Sequence, residues 1–420
     1  MKSRTFEGFI VLKQTTMLRV FIMDLLSVVA YYDAYLCRAL KSEGVSTRLG
    51  AITYHFDRDC YRRLGVRNQP GPLDFVGRLK LPNVVRRLLK VFEMCLNTIA
   101  LAVSFTWKRP DVVHVQYLPL LERRIPLELW LLKYCRLLGS SLVATVHDIA
   151  PHDGGDINAA RFRRAFEMMD ALICHSASAQ QQLLSRFSVA PERVWVIPHG
   201  PLFFDSGQAA RTAERESYKT ESRECIVLCQ GMIRPYKGIE FLLDAWAELR
   251  RGGTRAKLII AGSGEPQILE NIREKVRSLK LEGSVQLCFQ FLPTEVMMSY
   301  YEAADIVVYP YRAITTSGAL MTGIAQRKAI VATSLAPFRE LLEHGKNALL
   351  CDYGDTQGLA SALRRLIDNP KLRHCLAEEA AALSCGEQTW REIAARTRDC
   401  YLSVTGHLES SKVHTPLVAQ

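Results

Sequence analysis

The sequence predicts an α/β protein built from two domains, each a doubly wound parallel sheet, facing one another across a cleft. Three observations predict it. Short apolar, β-rich runs without polar alternation recur along the chain, as strands buried on both faces do. Helical stretches separate them. A polar, charged stretch, DSGQAARTAERESYKTESR (205–223), divides the series in two and reads as a linker.

In the first series, LRVFIMD (18–24) reads as a buried strand and YYDAYLCRALKSEG as a helix ending at Gly44. STRLGAITY, DVVHVQY (111–117), SSLVATVHD (140–148), ALICHS (171–176) and RVWVIPHG (193–200) are further strands. Helices over 125–139 and 160–170 separate some of them. In the second series, ECIVLCQG (224–231), AKLIIAGSG (256–264), SVQLCFQFL (284–292), DIVVYP (305–310) and KAIVAT (328–333) are strands. GIEFLLDAWAELRRGG (238–253) is an amphipathic helix, and LASALRRLIDNP (359–370) is a helix stopped by Asn-Pro. A last helix covers 389–404. Ligands of doubly wound sheets bind beyond the carboxyl ends of the strands, so the expected site is the cleft between the domains.

Composition bounds the function. The 420 residues are 48% hydrophobic and 23% charged, which places the chain among globular proteins. Lys and Arg number 54 against 43 Asp and Glu, a net charge of +11 that favours anionic partners. No nucleic-acid motif accompanies that charge, so nucleic acid is not an expected partner. The 12 cysteines form no CxxC pair and sit largely in apolar runs, as reduced thiols of a cytoplasmic protein do. Residues 1–16 precede a second methionine, Met17, and read as an N-terminal extension; their apolar piece is too short for a signal peptide. The longest apolar stretch, Val91 to Trp107, contains Glu93 and Asn97 and is short of the ~20 residues of a bilayer span, so no transmembrane helix is predicted.

Three segments carry the chemistry. Gly231-Met-Ile-Arg234-Pro-Tyr-Lys237-Gly238 follows a strand and opens a helix. Arg234 offers a bidentate fork and Lys237 a point charge, both suited to a diphosphate near a positive helix end. Spacing alone equally allows a basic turn on a solvated surface. Ala261-Gly262-Ser-Gly264-Glu265 is a glycine-rich turn, which often serves only a tight connection. Tyr309-Pro-Tyr-Arg-Ala-Ile-Thr-Thr316-Ser317-Gly318-Ala319 places small residues before a helix. Amides there suit a phosphate or sugar hydroxyls, and N-capping by Thr316 or Ser317 is the plainer alternative.

Together these segments resemble glycosyltransferase family 4 and its GT-B relatives, most closely over 224–370 and more loosely over 110–205. The resemblance rests on GMIRPYKGIEFLLDAW, KLIIAGSGE, EAADIVVYPYR, KAIVATSLAPFRELLEHGKNALL and SCGEQTWREIAARTRDCY, in this order. It implies the GT-B fold, with 17–204 as the acceptor-side domain and 224–385 as the domain that binds a nucleotide sugar. It implies that 386–405 cross back onto the first domain; 406–420 read as a flexible tail. It implies that Arg234 and Lys237 bind the donor diphosphate, and that Phe291, Leu292 and Pro293 hold the nucleobase. Gly231, Gly262 and Gly264 join this donor set. No bound metal is expected, and the His147, Asp148, His152, Asp153 cluster matches no standard metal spacing.

One departure stands out. The family carries Glu-x7-Glu here. Alignment on Gly318 puts Thr315 and Gly323 in those places, so both carboxylates are missing. The chain resembles a branch with a QSG-type loop, read here as TSG (316–318), which implies that backbone amides of Ser317, Gly318 and Ala319 hold the sugar. In the first domain, His147 ends a strand and matches a histidine that in relatives touches the donor sugar. VIPHG has His199 where relatives have Asn. The family's glycine pair after the first strand is absent, and Tyr31, Tyr32 and Asp33 are expected on the acceptor side.

The reading is a glycosyltransferase, of the retaining kind by resemblance. It moves a hexose-type sugar from a GDP- or UDP-linked donor to a hydroxyl of a lipid-linked or polysaccharide-precursor acceptor. Exopolysaccharide biosynthesis is the setting such an acceptor implies. The alternatives are a noncatalytic nucleotide-sugar-binding partner of a polysaccharide assembly complex, or a GT-B epimerase. Arg78 to Arg109 mixes Arg78, Lys80, Arg86, Arg87 and Lys90 with Leu88, Leu89, Phe92, Leu96 and Trp107. It reads as an element that meets an anionic membrane face or, alternatively, as a core helix with a solvated basic side.

Overall fold

The computed structural model describes residues 17–50, 60–67, 72–73, 76, 79, 82–149, 162–205 and 224–406. The expectations for 1–16, 51–54, Arg78, Lys80, His152, Asp153, most of the linker and most of the tail fall outside these residues.

The first domain is a six-stranded parallel sheet. Its strands are β1 (Arg19–Met23), β2 (Ser46–Gly50), β3 (Val112–Val115), β4 (Ser141–Thr145), β5 (Ala171–Cys174) and β6 (Val194–Val196), in the order β2-β1-β3-β4-β5-β6. The order turns back between β1 and β3, which opens a crevice at their carboxyl ends. Its helices include α1 (Ala30–Ser42), the short α2 (Cys60–Arg63), α3 (Asn83–Trp107), α4 (Pro119–Glu122), α5 (Leu127–Leu137) and α6 (Ala177–Arg186). α3 runs for 25 residues, starting well before the Val91 that hydropathy alone picked out.

The second domain repeats the plan. Its strands are β7 (Cys225–Gln230), β8 (Ala256–Ala261), β9 (Val285–Cys288), β10 (Ile306–Tyr309), β11 (Ala329–Thr333) and β12 (Leu349–Cys351), in the order β12-β11-β10-β7-β8-β9. The switch point lies between β7 and β10. α7 (Ile239–Arg251), α8 (Pro266–Ser278), α9 (Thr294–Ala303), α10 (Gly318–Ala325), α11 (Ala336–Arg339), α12 (Thr356–Asp368) and α13 (Pro370–Ala382) cover its two faces. β9 is shorter than the sequence suggested, because the chain leaves the sheet after Cys288 and Phe291–Pro293 become loop. The Asn-Pro that ends α12 also starts α13. Asn369 caps it by accepting from Leu372 N at 3.0 Å, and Pro370 takes the first helical position, where no donor is needed.

Each sheet is buried on both sides. One face of the first sheet meets Leu101, Phe105, Leu131 and Leu132 from α3 and α5. Its other face meets Tyr35, Leu36 and Leu40 of α1, joined by Trp390, Ile393, Ala394, Cys400 and Tyr401. Those five belong to α14 (Glu387–Val404), which lies after the second domain in sequence. The C-terminal helix therefore completes the core of the first domain. Trp390 is 1% exposed, stacks on Tyr35 and donates from its indole N–H to Pro201 O at 2.8 Å. Gly200 accommodates it, since a Cβ there would lie 2.4 Å from the indole.

Trp390→Ala is expected to cost roughly 3–5 kcal/mol of stability, the usual toll for emptying a buried tryptophan site. Urea unfolding followed by circular dichroism measures it. A loss below about 1 kcal/mol would contradict the role assigned to α14.

Candidate active site

The second domain's half of the site begins where β7 and β8 end. The two loops are stitched by Gly231 N to Ala261 O at 3.1 Å and Ile233 N to Ser263 O at 2.7 Å. Gly262 has φ 149°, and a Cβ there would lie 2.0 Å from Gly231 O, so only glycine allows this approach. Gly264 bridges Ile233 for the same reason of space. The chain then makes a 3-10 turn over Pro235–Lys237, and Gly238 at φ 66° admits it into α7.

Arg234 and Lys237 end in different surroundings. Arg234 is partly exposed and reaches Glu265 at 3.9 Å. Lys237 is buried at the switch point. Its ammonium donates to Tyr311 Oη and sits 4.0 Å from that ring's centroid. Burial lowers its pKa to about 8, with the Cys229 thiol opposing the shift. Burial raises the pKa of Tyr311 well above its ordinary value, with Ser317 of the TSG loop opposing the shift.

Ser317 caps α10, its Oγ accepting from Leu320 N at 3.1 Å. Thr316 Oγ1 is buried without a partner among the described residues. A Cβ at Gly318 would lie 3.2 Å from Leu202, so this loop abuts the end of the first domain. Ala319 offers its carbonyl to Tyr309 Oη at 2.7 Å. That hydroxyl also fills the space beside Gly323, where a Cβ would come within 2.3 Å of it. Thr315 is buried. A side chain at Gly323 is thus physically excluded by a tyrosine.

The first domain's half lies at the ends of β3 and β4. His147 Nε2 donates to Gln116 Oε1 at 2.9 Å, and its Nδ1 lies 3.4 Å from His175 Nε2. His175 donates to Ile197 O at 2.9 Å, and His199 to Gly200 O at 2.7 Å. His114 is held between Tyr401 and Thr145. Burial drives the pKa of His147 well below its ordinary value, with three histidine neighbours adding to the shift. His175 and His114 fall to about 3 and His199 to about 4 by the same desolvation. All four imidazoles are neutral at physiological pH. His147 is therefore a hydrogen-bonding group rather than a reserve of protons.

Two cavities, each of about 230 Å³, join these halves. One is walled by Gln116, Thr145, His147 and Asp148 from the first domain and by Arg234 and Tyr236 from the second, with Glu122 at its side. The other is more apolar, walled by Tyr31, Phe203, Gly231, Gly262, Phe291 and Leu292. Met232 belongs to both walls, so they adjoin. Lys237, Gly264, Pro293 and residues 316–319 line neither. A larger hollow of about 970 Å³ lies within the second domain, around Arg339, Lys346 and Arg365. It takes no residue from the first domain and none of the loops just described.

The acceptor-side trio separates. Tyr31 reaches the cleft, where its hydroxyl bonds Thr294 and its ring lies 4.4 Å from that of Phe203. Tyr32 is buried among the rings of His147, His175, His199 and Trp390. Asp33 is wholly buried against Asp24, and burial raises its pKa well above the ordinary value. Tyr32 and Asp33 thus face the interior of α1, and the acceptor-side expectation is corrected for both. Sequence reasoning gave no role to Tyr311, Met232 or Glu122, although the first two lie inside the segments that carry the chemistry. It also missed Glu340. From α11's C-terminal end, that carboxylate accepts from Ala177 N at 2.7 Å and Ser178 N at 2.8 Å, the first amides of α6. A charge on a helix N-terminus there fastens one domain to the other. Arg63 and Glu295 form a second tie at 2.8 Å.

A family model described as Glycosyltransferase Family 4 matches residues 29–200, and one described as Glycosyl transferases group 1 matches 224–369. The chain is a family 4 glycosyltransferase. It is 29% identical over 224 residues to an alpha-D-kanosaminyltransferase of Streptomyces kanamyceticus, spanning 53% of this chain but only 57% of that relative. It is 26% identical over 379 residues to a D-inositol 3-phosphate glycosyltransferase of Acidothermus cellulolyticus, covering 84% and 80% of the two chains. Among solved structures it resembles Anabaena Alr3699/HepE in complex with UDP and glucose, with TM-score 0.69, 17% identity and coverage of 91% and 99%. Sucrose-phosphate synthase from Thermosynechococcus elongatus gives TM-score 0.70, 18% identity and coverage of 93% and 100%. The fold of this glycosyltransferase is GT-B, and its chemistry is the transfer of a glycosyl group.

The expectation that Lys237 binds the donor diphosphate carries a pH dependence. The ammonium is the form that attracts phosphate, and a bound diphosphate raises its pKa. Affinity is then expected to fall as pH rises through about 8, by up to about tenfold per unit. Calorimetric titration of UDP and GDP at pH 7 and pH 9 reads this directly. Equal affinity at both values for the nucleotide that binds would contradict it.

Proposed function

We propose that this glycosyltransferase moves a hexose from a UDP- or GDP-sugar to a hydroxyl of a lipid-linked or polysaccharide-precursor acceptor, with retention at the anomeric carbon. The observation that carries the reading is one cavity walled by Arg234 from one domain and His147 from the other, beside an apolar cavity that holds Phe291 and Leu292. The UDP bound to the Anabaena relative makes UDP the first donor to test.

The roles follow from the surroundings. The base enters the apolar cavity by Phe291, with Leu292 and Pro293 shaping that loop. The diphosphate lies over Gly231, where Arg234 reaches it from solvent and Lys237 from beneath. As the glycosidic bond to the donor breaks, charge builds on the departing phosphate, and these two cations stabilise it. They supply the positive charge that a metal supplies elsewhere, so no bound metal is required. The amides of Ser317, Gly318 and Ala319 replace the absent carboxylates in holding the sugar. His147, neutral and fixed by Gln116, bonds a sugar hydroxyl. Glu122 and Asp148 line the same cavity and receive the acceptor hydroxyl. Closure of the domains excludes water from the reaction.

The experiment is release of nucleoside diphosphate from a panel of UDP- and GDP-sugars with a lipid extract as acceptor. One donor is expected to support acceptor-dependent release that survives EDTA. Arg234→Ala is expected to lower kcat/KM by roughly 10²–10³, the usual loss of one transition-state donor. Release that persists unchanged in this variant, or that EDTA abolishes, would overturn the assignment.

A further inference from the structure

α3 has its polarity turned inside out. Its polar residues Glu93, Asn97 and Thr98 are each 1% exposed and face the protein. They are satisfied there. Glu93 accepts from Val76 N at 2.9 Å, Asn97 pairs with both backbone groups of Leu73, and Thr98 bonds Met94 O. Its apolar residues Leu88, Phe92, Leu96, Ile99, Val103 and Trp107 face outward, Trp107 at 79% exposure. They recur at steps of three and four, so they form one straight stripe about 28 Å long at 1.5 Å per residue. A helix on the surface of a water-soluble protein places these residues the other way round.

The neighbouring helix widens the face. α5 lies alongside, joined by Thr106 Oγ1 to Tyr134 Oη at 3.0 Å, and exposes Trp130 and Leu137. Charge on and beside the two helices is mostly basic: Arg86, Arg123, Arg124 and Lys133 are exposed, while Arg136 is paired with Asp170. The only carboxylates on α3 and α5 are Glu93 and Glu128, and both are buried. Apolar residues in a basic surround, with tryptophans at the edge, fit the headgroup region of an anionic bilayer.

We propose that the α3–α5 face binds a membrane containing anionic lipid, with α3 lying in the plane of the interface. α3 is long and apolar enough to cross a bilayer by length and composition. Its inner side is nonetheless committed to the sheet: Leu101 and Phe105 pack in the core, with Phe105 meeting Phe21 edge to face at 4.8 Å. In-plane binding keeps those contacts, whereas spanning breaks them. The placement also orients the cleft. Met94 of α3 packs with Leu26 and Leu120, next to the Leu118 and Glu122 that wall the His147 cavity. A hydroxyl carried on a lipid therefore approaches the cavity from the bound face. This inference deepens the reading of a lipid-borne acceptor and takes its purpose from that reading.

The test is co-sedimentation of the full chain with vesicles of phosphatidylcholine, with and without phosphatidylglycerol. A triple variant, Leu88→Glu/Phe92→Glu/Val103→Glu, leaves every buried contact in place, and its unfolding midpoint serves as the check. Expected is binding to the phosphatidylglycerol vesicles that weakens with salt and falls at least tenfold in the variant, while its donor hydrolysis without vesicles stays at the wild-type level. The proposal is overturned if the variant sediments like the wild type or if the wild type stays in the supernatant. It is equally overturned if sedimentation velocity shows a dimer that the variant disperses, since a second copy then covers the face. Absence of nucleotide release in the wild type would count against the transferase reading alone, because vesicle binding is read without turnover.

Discussion

A cleft shared by two separate sheets exists only if the second sheet is held against the first, and here α14 carries that burden. It follows the second domain in sequence yet fills a hole in the core of the first. Trp390 supplies the apolar anchor. Tyr401 reaches His114 beneath the cleft, and Arg398 pairs with Glu43 at 2.6 Å. The chain thus crosses between the domains twice, through the linker and back through α14, which limits how they turn. Glu340 on the amides of α6 and Arg63 on Glu295 then fasten the two rims. Their bonds are made at exposed edges, where the cost of breaking them is small. The geometry joins a firm pivot to weak rim contacts, as opening for substrate requires.

The electrostatics of the two halves are complementary. The second domain concentrates cationic charge at the switch point of its sheet, one cation accessible and one buried. The first domain presents four neutral imidazoles in a connected network. On the first domain's side the cavity is lined by neutral His147 together with the carboxylates Glu122 and Asp148, so an anionic donor is drawn to the cationic wall of the second domain. Burial does the work on both sides, lowering Lys237 toward neutrality and keeping the histidines uncharged.

Much of this was legible in the sequence because the strands are continuous apolar runs bounded by glycine and small residues. Both sheets, their parallel class and the position of the 231–238 loop follow from such runs. Arg234 and His147 were readable because each sits directly after a strand, where the fold forces residues into the cleft. Tyr32 and Asp33 show the limit of that reasoning. They also follow a strand, but the loop 25–29 folds over and the first turn of α1 points them inward. Glu340 was invisible for a different reason: its partner is a pair of backbone amides 163 and 162 residues away, which no side-chain pattern records. The outward stripe of α3 was half legible. Its composition was plain, yet which side faced the protein depended on Glu93 and Asn97 finding backbone partners in a segment with no signature.

The proposed function has the nucleotide sugar bridge the two domains, in the cavity walled by Arg234 and His147 and in its apolar neighbour. Hydrogen exchange with and without the bound nucleotide tests it most directly. The account predicts added protection at 231–238, at 262–264 and at 291–297 in the second domain, together with 145–148 in the first. Protection confined to the hollow around Arg339 and Arg365, with the first domain unchanged, would contradict it.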